Sequence, residues 1–196
     1  GIGARIDAME AEGARQKKLA ACIAADDVTA LKRALSSGTG VDDLIGDSSL
    51  LSYAAYYGAL KCAQELVAGG ADIRFRNSRG ISVLMWTVML NPEHAKPDWA
   101  PYRKKRAEVL SYLLSLGLTE DSDLHDQAGN HISMLAALYD DSEDFAPLKG
   151  AGVPLDGPMD LADETPLLFA SLNGSLASVR ELVRLGADYR ATNGLG

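Results

Sequence analysis

Three groups of side chains have types and spacings that could do chemistry. His125, Asp126 and His131 place two imidazoles and a carboxylate within seven residues around a turn, the beginnings of a metal site. A structural zinc site needs four ligands dominated by Cys or His, so the set is short. The plainer reading makes Asp126 a turn former and His131 the start of a helix. Asp140-Asp141-Ser142-Glu143-Asp144 offers oxygen ligands for calcium, but without the glycine and distant closing glutamate of a calcium loop. Acids opening a helix complement its dipole and need no metal. Arg103-Lys104-Lys105-Arg106, with Trp99 and Tyr102 beside it, is the one basic cluster. A nucleic-acid reader would spread such charge over a face, so the cluster reads as the solvated start of a helix.

No catalytic motif joins these residues. The chain has no GxSxG elbow, no phosphate loop ending in Gly-Lys-Ser/Thr, no CxxC and no HExxH. The reading is therefore a protein that is not an enzyme and holds neither metal nor cofactor. Cys22 and Cys62 sit in apolar helical segments and read as small core residues. The longest nearly apolar run, Ile81 to Leu90, is half what a spanning helix needs. The compartment stays open, with cytoplasm the default and periplasmic or secreted the alternatives, and nothing in the residues sets an oligomeric state.

The elements that would position these side chains follow from composition and periodicity. The 196 residues are 47% apolar, enough for a core. Their net charge of −8 is unevenly placed: residues 1–118 carry +2 and residues 119–196 carry −10. Such a field repels nucleic acid and anionic lipid and speeds encounter with a basic partner. Glycines that close apolar helices recur at Gly38, Gly70, Gly117, Gly152 and Gly186, with spacings of 32, 47, 35 and 34. One period near 33 accounts for all four once residues 92–105 are taken as an insertion.

Within a period the local physics repeats. Thr165 supplies an N-cap hydroxyl and Pro166 a first-turn residue with preset φ, so a helix starts there and Gly174 ends it. Val179, Leu182 and Val183 give the second helix one apolar face, and Gly186 closes it. A hairpin of this size cannot cover its own apolar face and must stack on the next. The spacing therefore predicts an all-α chain of stacked helical hairpins. Pro147 falls inside one expected second helix and predicts that it is short or kinked.

These residues carry a family resemblance. Thr165-Pro166-Leu167, Ala170, Gly174, Leu182-Val183 and Gly186-Ala187-Asp188 resemble an ankyrin repeat, as do Ser49-Leu50-Leu51, Ala54-Ala55, Gly58, Leu66-Val67 and Gly70-Ala71-Asp72. The resemblance implies a solenoid of helix-turn-helix units with hairpin-like finger loops. It divides the chain into an N-terminal extension at 1–18 and an ankyrin-repeat domain at 19–196, with repeats at 19–43, 44–76, 77–123, 124–157 and 158–192 and the start of another at 193–196. The first is a degenerate cap, and the third holds the 92–105 insertion, which either packs or binds. In the fourth, Ser133 replaces a core leucine and Asp140 stands where the inter-helix glycine belongs. Residues 1–18 read either as a helix whose Ile2, Ile6 and Met9 shield the first repeat or as a leader.

The resemblance also implies binding of another protein through the concave face and fingers. The positions just before the inter-helix turn read Tyr56-Tyr57, Met89-Leu90, Leu138-Tyr139 and Leu172-Asn173. Stacked, they form an apolar and aromatic stripe, which is either a binding surface or packing between neighbouring helices. The fingers add Arg74, Arg76 and Arg79 early in the array and Asp121, Asp123, Asp126, Asp160, Asp163 and Glu164 later. The expected partner is a protein, with a basic surface if the acidic fingers steer it. Two narrower readings stand beside this one: a bacterial immunity or inhibitor protein that neutralises a toxin or enzyme, and the targeting or regulatory region of a larger enzyme.

Overall fold

The computed structural model describes residues 2–89, 100–156 and 164–192. Leu90, Asp160, Asp163, Trp99, most of the 92–105 insertion and the 193–196 segment therefore lie outside the described residues. Among the described residues the fold is all-α. Its helices are α1 (Ile2–Ala24), α2 (Val28–Ser36), α3 (Leu50–Tyr57), α4 (Leu60–Ala68), α5 (Ala100–Ser115), α6 (Asp121–Leu124), α7 (Ile132–Leu138), α8 (Phe145–Gly150), α9 (Pro166–Leu172) and α10 (Leu176–Arg184). One hairpin pairs β1 (Leu44–Ile45) with β2 (Ser48–Ser49), and single bridges join Arg76 to Ser82 and His125 to His131.

Local chemistry sets the helix boundaries. Ser49 accepts the Ser52 amide to open α3, and Thr165 accepts the Leu168 amide ahead of Pro166 to open α9. Asp27 caps α2 by accepting from Ala30. At the far ends, Gly38, Gly70, Gly117, Gly152 and Gly186 all take positive φ, between 83 and 102°. That conformation lets the chain turn off a helix without a Cβ clash. Pro147 is the third residue of the six-residue α8, in the first turn, where its missing N–H has no intrahelical acceptor to lose. The preceding Ser142–Asp144 is a 3-10 turn, so this second helix is indeed short.

Two sequence expectations change. Residues 2–18 are helical and α1 runs unbroken from Ile2 through Ala24, but Ile6 and Met9 are 50% and 74% exposed and do not shield the first repeat. Among the described residues α1 enters the core at its end, through Leu19 and Ile23, while Ile6 and Met9 stay in solvent. The segment before the insertion makes a 3-10 turn at Met85–Thr87. The Thr87 hydroxyl donates to the Leu84 carbonyl at 2.7 Å, giving this β-branched stretch a local bond that competes with a longer α-helix.

Packing runs from neighbour to neighbour. Helix α3 lies against α1 on one side and α5 and the 85–87 turn on the other; α4 meets α2 and α5; α5 meets α8 and the 142–144 turn; α7 meets α9 and α10. A single apolar cluster links Leu19, Ile23 and Leu31 to Leu110, Phe145, Leu182 and Ala187. Burying a leucine or phenylalanine this fully is worth about 1.5–3 kcal/mol, and the helices of nine residues or fewer depend on such packing because they are too short to be stable alone.

Candidate functional site

The helix-end positions differ in exposure along the chain. Tyr56 and Tyr57 close α3 and are half-buried, their rings edge to face at 5.0 Å. Tyr56 also meets the Trp86 ring edge-on at 6.0 Å. Met89, just past the 3-10 turn, is half-buried against the core. Leu138 and Leu172, which end α7 and α9, are 40% and 70% exposed. Tyr139 is half-buried, and Asn173 is exposed with its amide donating to the Phe169 carbonyl. The first half of the row is thus tied into aromatic packing, and the second half presents apolar side chains to solvent.

Helix α5 ties three of these positions together from behind. Arg106 donates to the carbonyls of Met89 at 2.6 Å and Trp86 at 3.3 Å, and its guanidinium lies 5.6 Å from the Tyr56 ring centre. One turn earlier, Arg103 donates to the carbonyls of Asp140 and Tyr139. Two guanidinium groups on one helix face therefore hold the backbone beneath Met89 and Tyr139. This corrects the solvated reading of Arg103–Arg106. Arg106 is fully buried, and Arg103 is half-buried; Lys104 and Lys105 alone keep to the surface. The i,i+3 spacing of the two arginines was the available signal, but a run of four basic residues hides which side faces inward.

The acidic run is divided in the same way. Asp141 and Asp144 are fully buried, whereas Glu143 is exposed. Burial pushes both buried carboxyls above the ordinary aspartate range, Asp144 well above it, with Asp141's charge adding to the shift. Arg106 is shifted down by its own burial.

Finger-loop charges are mostly engaged within the chain. Arg76 donates to the Gly80 carbonyl of its own loop and to the His125 carbonyl of the next, while the exposed Arg79 gives its carbonyl to the Gln127 amide. Arg74 pairs with Asp123 at 2.6 Å and Glu120 at 3.0 Å. Asp126 accepts from Ala128 and Asn130, holding its turn. The acids at Asp42 and Asp156 each accept the amide of the corresponding aspartate one period on, Asp72 and Asp188. These carboxylates act as loop clamps and keep their negative charge, since the amides they bind are neutral; of these acids only Asp123 and Glu120 are paired with a cation, Arg74. Glu164 is half-buried at the entry to α9.

His131 caps α7: its Nδ1 accepts the Ser133 amide at 3.2 Å and meets the Ser133 hydroxyl at 2.6 Å. His125 packs against it, ring centres 4.8 Å apart. Burial, then the neighbouring His125, pull the His131 pKa down to about 4. Among the described residues no three His, Cys, Asp or Glu side chains converge as a metal would require.

An apolar patch on the last pair escaped the sequence reading. Tyr189 is 71% exposed and, with Leu167, Leu168, Val179 and Val183, lines a shallow cavity of about 200 Å³. Leu167 is buried there, Leu168 and Val179 are half-buried, and Val183 is 49% exposed although it lies on the apolar face the repeat pattern assigns to the second helix.

No protein-family model matches the chain, and no curated protein matches it either. Among the described residues no helix is long and apolar enough to cross a membrane.

Proposed function

We propose that the chain is an ankyrin-type solenoid that binds another protein through the row of helix ends and the adjoining fingers. The observation that carries this reading is the exposed apolar pair Leu138 and Leu172 on the neighbouring helices α7 and α9, with Tyr139 alongside. Exposed apolar groups on rigid, neighbouring helix ends suit a preorganised surface, which loses little entropy when a partner docks. Arg103 and Arg106 support the same reading, because they fix the backbone under Tyr139 and Met89 before any partner arrives.

In this reading Leu138, Tyr139, Leu172 and Asn173 make direct contact. Tyr56, Tyr57 and Met89 form the firmer end of the surface, and Arg76, Arg79 and Glu164 lie at its rim. Leu90 and Asp163 belong to the same proposed set from the sequence alone. The net −10 of residues 119–196 favours a partner with a basic face.

The test is retention of proteins from the source organism on the immobilised chain, compared with Leu138→Asp/Leu172→Asp. These side chains are exposed, so the variant keeps its helical signal. A protein retained by the wild type and lost with the folded variant supports the surface. Equal retention by both would remove these helix ends from the binding site.

A further inference from the structure

Helix α5 and the 142–144 turn enclose charges that the binding surface does not use. Asp141 and Asp144 have no accessible surface, and neither carboxylate accepts a hydrogen bond among the described residues. An ionised carboxylate deprived of both water and donors is held at large electrostatic cost. The facing positive charges come from α5: Arg106, fully buried, and Arg103, half-buried and committed to the Tyr139 and Asp140 carbonyls. The turn itself adds the negative charges of Asp140 and Glu143. From α3, Tyr56 faces Arg106. Among the described residues, the charged groups of α10 are the Glu181–Arg184 pair and the exposed Arg180. Helix α7 has no titratable residue, α10 brings the buried Ser178, and the Lys149 ammonium of α8 is turned to the Leu185 carbonyl.

Among the described residues the fully buried set is two carboxyls and one guanidinium. With every group ionised it carries one excess negative charge, and the nearby Asp140 and Glu143 outnumber Arg103. A single proton makes the buried set neutral.

We propose that Asp141 and Asp144 share one bound proton in the folded chain at neutral pH, one carboxylate balancing Arg106 and the other remaining a neutral acid. Because Asp141 and the turn that carries Asp144 lie within five residues of Tyr139, loss of this proton loosens the packing between α5 and the 139–144 segment. The arrangement makes folding take up a proton, and the packed state weakens as pH rises.

Two measurements on the full 196-residue chain test this. The first is the infrared spectrum of the native protein at pH 7. A protonated-carboxyl carbonyl band that disappears on thermal unfolding is expected; its absence in the native state overturns the proposal. The second is urea unfolding from pH 6 to 8 for the wild type, Asp144→Asn and Asp141→Asn. Relative to either variant, the wild-type folding constant is expected to fall by up to about tenfold per pH unit, the limit for one linked proton. Curves for wild type and variants that run parallel across this range overturn it. Should neither variant fold, the infrared band decides alone.

Discussion

His131 caps α7 with a ring nitrogen that accepts a hydrogen bond only while it is unprotonated. With a folded pKa of about 4 against 6.5 for the free side chain, the unfolded chain binds the extra proton between those values. Stability from this group is therefore complete above pH 6.5 and declines as pH falls toward 4, by about 3 kcal/mol at most. His131→Asn keeps a capping oxygen but does not titrate. Its stability curve, by urea unfolding between pH 4 and 7, is expected to lack this decline. His131→Ala is expected to lose about 1 kcal/mol at pH 7, where the wild-type cap is intact. The Asp141–Asp144 pair acts with opposite sign, losing stability as pH rises, so the two contributions separate when variants are compared.

Between elements, two aspartates do what a glycine does elsewhere. Asp26 and Asp140 occupy inter-helix turns with φ of 52 and 53°, against 68 and 70° for Gly58 and Gly174. Each uses its carboxylate to cap the second helix of the following pair. Asp26 accepts the Cys62 amide at 2.9 Å and the Lys61 amide at 3.3 Å, and Asp140 accepts the Ser178 amide at 2.8 Å. A left-handed aspartate is strained relative to glycine, and the cap offsets that strain. Replacing Asp140 by Asn, which tolerates this conformation and keeps an acceptor, is expected to change stability by under about 0.5 kcal/mol. Gly removes the strain but also the cap, for a loss of about 1 kcal/mol, and Ala removes the cap while keeping the strain, for about 2 kcal/mol. Urea midpoints that do not follow this order would show that the Ser178 contact carries no energy.

For the whole molecule, the way α5 seats on its neighbours matters most. A Cβ at Gly58 would lie 2.7 Å from the Lys105 Cβ and 2.9 Å from the Arg106 amide nitrogen, whereas one at Gly174 would meet nothing within 4 Å. Both glycines have positive φ, so both alanine variants pay for conformation. Gly58→Ala must also push α5 off α3 or strain its backbone. We expect a loss of about 1 kcal/mol for Gly174→Ala and at least about 3 kcal/mol for Gly58→Ala, read from thermal or urea unfolding. The shift would reach further than stability, because α5 carries Arg103 and Arg106 and through them the backbone beneath Tyr139 and Met89.

The sequence by itself determined the helical character of the chain, the glycines that close its helices and the brevity of α8. Each of these depends on the φ preference, capping group or missing N–H of a residue acting within about five positions of itself. Tyr57, Leu138 and Leu172 were also legible as helix ends, since their positions follow from the caps on either side, whereas Met89 lies past a 3-10 turn that the repeat pattern did not indicate. Tertiary structure alone decided which face of each charged run points inward. Arg106 and Lys105 are adjacent and alike in sequence, as are Asp144 and Glu143, yet one of each pair is fully buried and the other exposed. Burial of a charge is set by the helices packed around it and by whether an opposite charge waits there, and those neighbours come from segments some 35 residues away.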